Sequence, residues 1–358
     1  MYLLRAELHG VGPFEHLELS FTDERDQPRR LIVIHGGGGV GKTSLLAAIG
    51  TSRPGHATVQ QPRAELQRIE GGNPPAWAAA DWQLGQDDPE RPHPLRVASP
   101  NVKLSGPDDQ ELTRRREQAL FDRVATEGGF AFLSIAATRW FSRQPIGISA
   151  PNRGVARYDV KQPAGLDDAT RSDLSRETKQ ALAYAEIGSA LAERRPPSGE
   201  AEREVRLELL GPAMFKVVEQ LVSLTGFSYL GIDALSWEPI FRSSDGTRLP
   251  FDALPTRARH LVAFGALSVR TLWAAYPDRD PRIAEGVVLI DEVDLHQDVA
   301  VALKLPQALR SALPSVQWIL TTHSAVLASG AAAGEVLALR AGTEGRVELY
   351  AGPSATTH

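Results

Sequence analysis

The chain of 358 residues contains no cysteine, which excludes a disulfide framework and a cysteine-based zinc site. It has no apolar run near the ~20 residues that span a bilayer. The N-terminus lacks the charged-then-apolar pattern of a secretory signal. We therefore expect a soluble, cytoplasmic protein with no membrane partner.

The chain also lacks an excess of positive charge, since its formal net charge is −5. This balance argues against a globally basic nucleic-acid binder but leaves room for a local basic groove. Any DNA binding should accordingly be modest and sensitive to salt. The hydrophobic content of 42% is sufficient for a substantial core, in one large domain or two modest ones.

Glycine is concentrated in one segment, between an apolar run over 31–34 and a helix-like run over 44–49. This strand–loop–helix context is typical of a phosphate-binding Walker A motif. Glycines let backbone N–H groups surround a phosphate, and the helix N-terminus adds partial positive charge. Lys42 can reach the β- and γ-phosphates, and the Thr43 hydroxyl can ligate Mg²⁺. The predicted nucleotide-binding residues here are Gly36, Gly37, Gly38, Gly39, Val40, Gly41, Lys42, Thr43 and Ser44.

A second motif lies far downstream, where the apolar run over 287–290 ends in two carboxylates, Asp291 and Glu292. A continuous apolar run predicts a strand buried on both faces. At its end Asp291 would hold Mg²⁺ and Glu292 would polarise the attacking water, as in a Walker B motif. The alternative is an acidic pair that caps a helix beginning near Asp294. The presence of the glycine-rich motif favours an ATP hydrolase that uses Mg²⁺.

The remaining pattern predicts an α/β fold. Two antiparallel strands open the chain, and a helical region over 166–224 is broken at 194–199. Loops rich in proline and glycine are expected over 52–76, 85–109 and 143–165. Further strands are predicted over 77–84, 130–136, 227–232, 238–241, 316–320, 335–339 and 347–350, and helices over 259–275 and 299–311. The predicted division is an ATPase core over 1–51 and 226–358, an insertion over 52–165 and a helical lobe over 166–225.

Three further segments carry a family resemblance: Leu254-Pro255-Thr256-Arg257, Val293-Asp294-Leu295-His296-Gln297-Asp298 and Thr321-Thr322-His323-Ser324. In this order, and with the opening strands, the chain resembles the ABC-type P-loop ATPases of the RecF, SMC and OLD group. The match covers residues 1–50 and about 215–330. It implies a mixed sheet flanked by helices, N-terminal antiparallel strands, a helical lobe, and ATP with Mg²⁺ as ligands.

The resemblance also implies roles for single residues. Thr43 and Asp291 would serve Mg²⁺, and Glu292 would be the catalytic carboxylate. His323 would be the switch histidine that contacts the γ-phosphate. Asp298 would be the aspartate that lines a dimer interface in such proteins. The position of the glutamine that follows the 130–136 strand in this family stays open between Gln144 and Arg139.

The chain departs from the family in the signature loop, where Pro255 and Arg257 replace serine and glycine. Proline removes a backbone donor, and arginine removes the space that glycine leaves. We therefore expect no standard contact between this loop and a nucleotide on a second subunit. Another segment, a partner ATPase, or Thr256, Arg257 or Arg259 could supply the contact instead. The two arginines could act as arginine fingers, or be exposed arginines at a helix start.

The sequence predicts a nucleotide-driven switch that acts in anti-phage defence or DNA repair. Self-association and a partner effector protein are expected, and DNA is a further candidate partner. No nuclease motif is evident, so an effector would be a separate polypeptide. The alternative is an ATP-sensing scaffold with little turnover, which binds a protein partner and no DNA. The altered signature loop favours the scaffold, whereas Glu292 and His323 favour hydrolysis.

Overall fold

The structure is a computed structural model, and it describes residues 1–54, 76–84, 94–99, 131–143, 173–194, 206–342, 346–351 and 355. Thirteen strands and six α-helices lie within these ranges. The strands are β1 (Tyr2–Val11), β2 (Phe14–Ser20), β3 (Leu31–Gly36), β4 (Trp77–Gln83), β5 (Leu95–Ala98), β6 (Phe132–Ile135), β7 (Phe227–Ile232), β8 (Pro239–Ser243), β9 (Arg248–Pro250), β10 (Gly286–Ile290), β11 (Val316–Thr322), β12 (Val336–Ala341) and β13 (Val347–Ala351). The helices are α1 (Lys42–Thr51), α2 (Ser175–Glu193), α3 (Leu207–Val222), α4 (Thr256–Ala275), α5 (Val299–Ala312) and α6 (Ala325–Ser329).

The central sheet has six strands in the order β13-β12-β3-β11-β10-β6. All pairs are parallel except β12 with β13, which form the predicted terminal hairpin. Every residue of β10 and β11 is buried. The continuous apolar run of β10 predicts this, whereas β11 also buries Gln317, Thr321 and Thr322. Because the strands run in parallel, the carboxyl ends of β3, β11, β10 and β6 meet at one edge of the sheet. The predicted functional motifs follow these strand ends.

Alternate residues of the central strands divide into two apolar cores, one on each face. In β3, Leu31 and Val33 belong to the core that contains α2, α3, α4 and α5. Ile32 and Ile34 belong to the core that contains α1 and the N-terminal strands. This alternation follows from the two-residue period of a strand. The result is a layered α/β structure. The edge of the sheet that carries the predicted functional motifs lies between the two apolar cores.

A second, antiparallel sheet has the order β2-β1-β4-β5. The predicted hairpin at the N-terminus is confirmed, with Val11 opposite Phe14 at its turn. The predicted buried face of β2 is also confirmed, since Leu17 and Leu19 are buried. Strand β5 was not predicted, because a four-residue strand within a proline-rich stretch gives too short a pattern.

The segment between 52 and 165 thus contributes strands to both sheets: β4 and β5 to the N-terminal one and β6 to the central one. The parts of this segment predicted as long loops lie largely outside the described residues. The division into core, insertion and helical lobe stays a prediction.

The predicted helical region contains two helices, α2 and α3, that pack on each other and on α4. A Cβ added at Gly211 in α3 would lie 2.7 Å from the Cβ of Ser189 in α2, so the two backbones approach closely there. Helix α4 begins at Thr256, three residues before the predicted start. It is buried along most of its length between this pair and the central sheet. A three-stranded sheet, β7-β8-β9, lies beside these helices. None of the described helices combines the length and apolar character that a bilayer crossing requires.

Candidate nucleotide-binding site

The glycine loop, residues 36–43, connects β3 to α1 as predicted. Gly41 adopts φ +87°, a left-handed conformation that strains residues with a Cβ. A Cβ at this position would lie 2.6 Å from Pro13 and 2.7 Å from the Phe14 ring. The turn of the β1–β2 hairpin therefore closes directly on the loop, and only glycine fits between them.

The loop offers the features that an anion requires. Around Gly37, Gly38 and Gly39, no heavy atom lies within 4 Å of the Cβ positions, so the loop faces open space. Helix α1 has no side-chain cap and no acidic residue in its first turn. Its first N–H groups and its partial positive charge are therefore available to a ligand. These observations fit a phosphate chain.

The Lys42 ammonium lies at the centre of this loop. Its Nζ donates to the carbonyls of Gly36 and Gly37, each at 2.8 Å, and lies 3.1 Å from Nδ1 of His323. Burial lowers the pKa of Lys42, and the carboxylates of Glu292, Asp291 and Asp294 oppose this shift. Among the described residues, no carboxylate is within ion-pair distance of Nζ. The ammonium is held in position and free to meet a phosphate oxygen.

Asp291 is fully buried at the end of β10. Its Oδ2 accepts a hydrogen bond from the Thr43 hydroxyl at 2.7 Å, and its Oδ1 accepts one from the Thr321 hydroxyl. A carboxylate beside a hydroxyl at the start of α1 supplies the oxygen ligands that Mg²⁺ prefers. The pair of residues predicted to serve the metal is thus brought into contact across 248 positions of sequence.

Glu292 follows Asp291 but faces a different environment. Its φ of +44° is unusual for a residue with a side chain. The backbone N–H of Glu292 donates to the Thr321 hydroxyl at 2.8 Å. Its Oε1 lies 2.6 Å from Nε2 of His323. The imidazole of His323 therefore bridges Glu292 and Lys42, and the two residues predicted to be catalytic are in direct contact.

Arg139 holds the backbone of Asp291 and Glu292 in place. Its guanidinium donates to the backbone carbonyls of Asp291 and Glu292, both at 2.6 Å, and to that of Ala136 at 3.0 Å. Burial lowers the pKa of Arg139 to about 10, so the side chain stays charged at neutral pH. Arg139 thus fixes the path of the chain after β10. Gln144, the other residue considered for the position after β6, lies outside the described residues.

Two stacked histidines lie behind the residues described above. The rings of His260 in α4 and His296 lie 5.4 Å apart and are nearly parallel. Phe264 and Phe141 also pack on His260, and both of its ring nitrogens are buried without a hydrogen-bond partner. Burial, with the nearby charge of Arg139, lowers the pKa of His260 to about 2. His260 is therefore neutral and acts as an aromatic packing residue behind the site.

The segment predicted to be an altered signature loop contributes Arg257 to a separate polar pair. Arg257 Nη1 lies 2.7 Å from Oδ2 of Asp298, and both side chains are partly exposed. The other carboxylate oxygen of Asp298 caps α5 by accepting from the N–H of Val301 at 2.9 Å. Within the described residues, no hydrogen bond or ion pair links Arg257 or Asp298 to the glycine loop. The structure thus brings Arg257 and Asp298 together, but apart from the residues of the glycine loop.

Arg259, the second arginine of this segment, faces its own chain. Its guanidinium lies 5.1 Å from the centre of the Phe141 ring and donates to the Thr256 hydroxyl at 3.2 Å. An arginine finger would have to leave these contacts.

Two threonines at the end of β11 complete the site, and sequence reasoning assigned neither a role. Thr321 contacts Asp291 and the N–H of Glu292, as described above. Thr322 donates to Oδ1 of Asp294 at 2.6 Å and accepts from the N–H of Ser324. The signal in the sequence is the pair of consecutive hydroxyl residues that ends the apolar run Trp318–Leu320. Their contacts could be foreseen only once β11 was known to lie beside β10.

No family model matches the chain. A solved SMC head bound to the C-terminal winged-helix domain of ScpA is similar over 98% of this chain and 97% of its own, with a TM-score of 0.55 and 13% identity. An SMC head with an extended coiled coil from Pyrococcus furiosus, bound to the C-terminal domain of ScpA, is similar over 98% and 96%, with a TM-score of 0.52 and 15% identity. The chain has the fold of an SMC head. The mixed sheet flanked by helices in this fold confirms the predicted fold class.

A curated protein adds a short sequence similarity. Septu protein PtuA of Bacillus mycoides (strain KBAB4) is 41% identical over 56 residues. The matched segment covers 16% of this chain and 8% of PtuA.

Proposed function

We propose that this chain binds ATP with Mg²⁺ and hydrolyses it, and that the resulting cycle drives a conformational switch. The observation that carries the proposal is the continuous contact from Lys42 through His323 to Glu292. It links the residue that would hold the phosphates to the carboxylate that would act on water. The SMC-head fold supports the same assignment.

In this proposal Lys42 exchanges the carbonyls of Gly36 and Gly37 for phosphate oxygens. Thr43 and Asp291 would hold Mg²⁺, which would neutralise charge on the phosphates. The Glu292 carboxylate orients a water molecule and accepts its proton. His323 Nδ1 lies beside the ammonium of Lys42, where it can sense the terminal phosphate. Arg139 keeps the backbone of both carboxylates in place throughout.

Substitution Glu292→Gln tests the proposal. The amide keeps the size of the side chain and one acceptor oxygen but loses the negative charge that accepts the proton. We expect unchanged binding of Mg-ATP and a single-turnover hydrolysis rate lower by roughly 10²–10⁴-fold. The matched control is Glu24→Gln, at an exposed loop position. Hydrolysis at the wild-type rate in Glu292→Gln would show that Glu292 has only a structural role.

A specific observation favours a second function, that of an ATP-sensing scaffold. Arg257 is engaged by Asp298 of the same chain, and Pro255 offers no N–H donor. A nucleotide on a second subunit would therefore lack the family's usual contacts. If the wild-type protein binds Mg-ATP without measurable turnover, with or without DNA, the scaffold is the correct function.

We further propose that the switch acts on a partner protein, in anti-phage defence rather than DNA repair. The partner is supported by the two SMC heads, both of which were solved with domains of ScpA bound. The defence role is supported by the similarity to Septu protein PtuA. Self-association is supported by Val299 and Leu303, which are exposed on α5 beside the Arg257–Asp298 pair.

A further inference from the structure

A cluster of histidine and glutamate side chains lies on the N-terminal sheet, outside the nucleotide site. Glu7 and His9 occupy alternate positions of β1, and therefore share one face of the strand. Across the hairpin, Glu18 is the direct partner of Glu7, and His16 is the direct partner of His9. Antiparallel pairing thus places two imidazoles and two carboxylates together on one surface.

The potential ligand atoms converge. Nε2 of His9 lies 3.0 Å from Oε1 of Glu7 and 3.0 Å from Nδ1 of His16. One potential ligand atom from each of Glu7, His9 and His16 lies within 4.8 Å of the other two. A tetrahedral zinc ion with bonds of about 2.0–2.1 Å separates its ligand atoms by about 3.3 Å. Small adjustments of the three side chains would therefore bring the observed spacing to that of a coordination shell.

Neighbouring residues hold these side chains in place. The ring of Trp77 on β4 stacks on His9, with ring centres 4.0 Å apart. Arg96 on β5 forms an ion pair with the second oxygen of Glu7 and also contacts Asp81. Oε1 of Glu18 lies 3.6 Å from Nε2 of His16, the nitrogen that faces away from the cluster. A histidine that ligates a metal commonly directs its other nitrogen to a carboxylate in this way.

We propose that Glu7, His9 and His16 form a binding site for a divalent transition-metal ion, with Zn²⁺ as the expected occupant. Oε1 of Glu7, Nε2 of His9 and Nδ1 of His16 supply three ligands, and the fourth position is open to water. Imidazole nitrogens suit Zn²⁺, whereas Mg²⁺ prefers oxygen ligands alone. The ligand type therefore distinguishes this site from the site at Thr43 and Asp291.

Because the proposed site lies on the β1–β2 hairpin, metal binding would affect the structure of the hairpin. His9 and His16 flank the hairpin turn that contains Pro13, and this turn closes on Gly41 of the glycine loop. An ion bound by both strands would clamp the hairpin close to that contact. Since it binds only the folded arrangement, it should also raise the melting temperature, by an amount that grows with the logarithm of its concentration above the Kd.

Calorimetric titration of Zn²⁺ into the tag-free full chain, in excess Mg²⁺, tests the site. We expect one Zn²⁺ per chain for the wild type, with affinity reduced at least about tenfold by His16→Ala. Glu7→Gln should weaken binding similarly while preserving the side-chain shape. The matched control is Glu15→Gln on the same strand β2, whose side chain is 77% exposed and lies outside the cluster. This substitution should leave Zn²⁺ affinity unchanged.

Co²⁺ provides a second measurement, because its visible absorption reports on the ligand geometry. Wild-type protein should give an absorption band that disappears in His16→Ala, while the far-ultraviolet circular dichroism of the variant stays unchanged. Two outcomes would overturn the proposal: no Zn²⁺ binding by the wild type in excess Mg²⁺, or equal Zn²⁺ affinity in wild type, His16→Ala and Glu7→Gln. Neither outcome depends on nucleotide, so the test is independent of the ATPase proposal.

Discussion

Asp291 and Glu292 are adjacent in sequence, yet the structure gives them different chemical environments. Asp291 is fully buried and accepts hydrogen bonds from two threonine hydroxyls. Glu292 has a backbone φ of +44° and directs its carboxylate to His323. The buried oxygens suit a metal ion, whereas the partly exposed carboxylate suits a water molecule. The unusual φ of Glu292 is the local reason that the two consecutive side chains contact different partners.

At this scale the sequence suggests candidate residues for the site but not the contacts that support them. Lys42, Asp291 and Glu292 could be assigned because each occupies a fixed position relative to a strand end. The role of Arg139 could not, because the carbonyls of Asp291 and Glu292 become its neighbours only when β6 pairs with β10. The pair of His260 with His296 was missed for the same reason, since one belongs to α4 and the other to the loop before α5.

Substitution Arg139→Lys should impair hydrolysis more than nucleotide binding. A lysine ammonium lacks the planar set of donors that reaches three separate carbonyls, so at least one buried carbonyl loses its partner. We expect a loss of about 1–3 kcal/mol in the free energy of unfolding. Displacement of the backbone at Glu292 should also lower the single-turnover rate. Chemical denaturation and single-turnover assays measure the two effects.

The control for Arg139→Lys is Arg143→Lys, at an exposed position four residues later. It should change neither stability nor turnover. If Arg139→Lys loses stability but hydrolyses ATP at the wild-type rate, Arg139 stabilises the fold without positioning Glu292.

Substitution His260→Phe should make the protein more resistant to acid. The pKa of His260 is about 2 in the folded protein and 6.5 in the unfolded chain. The unfolded state therefore takes up a proton that the folded state refuses as pH falls below 6.5, and stability falls with it. A phenylalanine ring fits the aromatic surroundings of this position and cannot be protonated.

Denaturation of both proteins at about pH 7.5 and pH 5 measures this effect. The wild type should lose about 2 kcal/mol more than His260→Phe over this interval, since each pH unit below 6.5 contributes about 1.4 kcal/mol. Other titrating groups are common to both proteins and cancel in the comparison. Equal losses would mean that His260 does not stay neutral in the folded state.

Among the elements, the β1–β2 hairpin and the glycine loop pack directly against each other. The turn of the hairpin contacts the loop where Gly41 precedes α1. Both elements were predicted from sequence, the hairpin by alternation and the loop by its motif. Their contact was not, because residues 12–14 and 41 are joined by packing rather than by any local pattern. Strand β9 and helix α6, of three and five residues, were also missed because they are too short to show a period.

Substitution Gly41→Ala should destabilise the protein even without nucleotide. The added Cβ would meet Pro13 and Phe14 at 2.6–2.7 Å, and alanine is strained at φ +87°. We expect a loss of at least about 1–3 kcal/mol in the free energy of unfolding, measured by chemical denaturation. Gly38→Ala is the control, since an added Cβ there meets no atom within 4 Å. Its stability should stay within about 0.5 kcal/mol of wild type. Equal effects of the two substitutions would contradict the proposed close packing of hairpin and loop.

For the whole molecule, the central question is how a second subunit would meet the nucleotide. The central sheet and its two cores match the predicted α/β fold, because buried strands carry a strong apolar signal. No comparable signal in the sequence specifies an interface. The surface that the family resemblance assigns to this role carries the Arg257–Asp298 pair and the exposed Val299 of α5. It borders a cleft of about 300 Å³ that is lined by both members of the pair and by Lys304.

The combined substitution Pro255→Ser with Arg257→Gly introduces the serine and glycine that the family resemblance implies at these positions, and it tests this surface. The serine should cap α4 at least as well as Pro255, so folding should be preserved. Loss of Arg257 removes the ion pair with Asp298 and the only side chain of this pair that could contact a phosphate on a second subunit. We therefore expect steady-state ATP turnover that is little changed or lower, at every protein concentration. Arg257→Lys, which keeps the positive charge opposite Asp298, should retain more activity than the double variant. A large rise in turnover that grows with protein concentration would instead show that the loop belongs to a standard two-nucleotide interface, which Pro255 and Arg257 merely weaken.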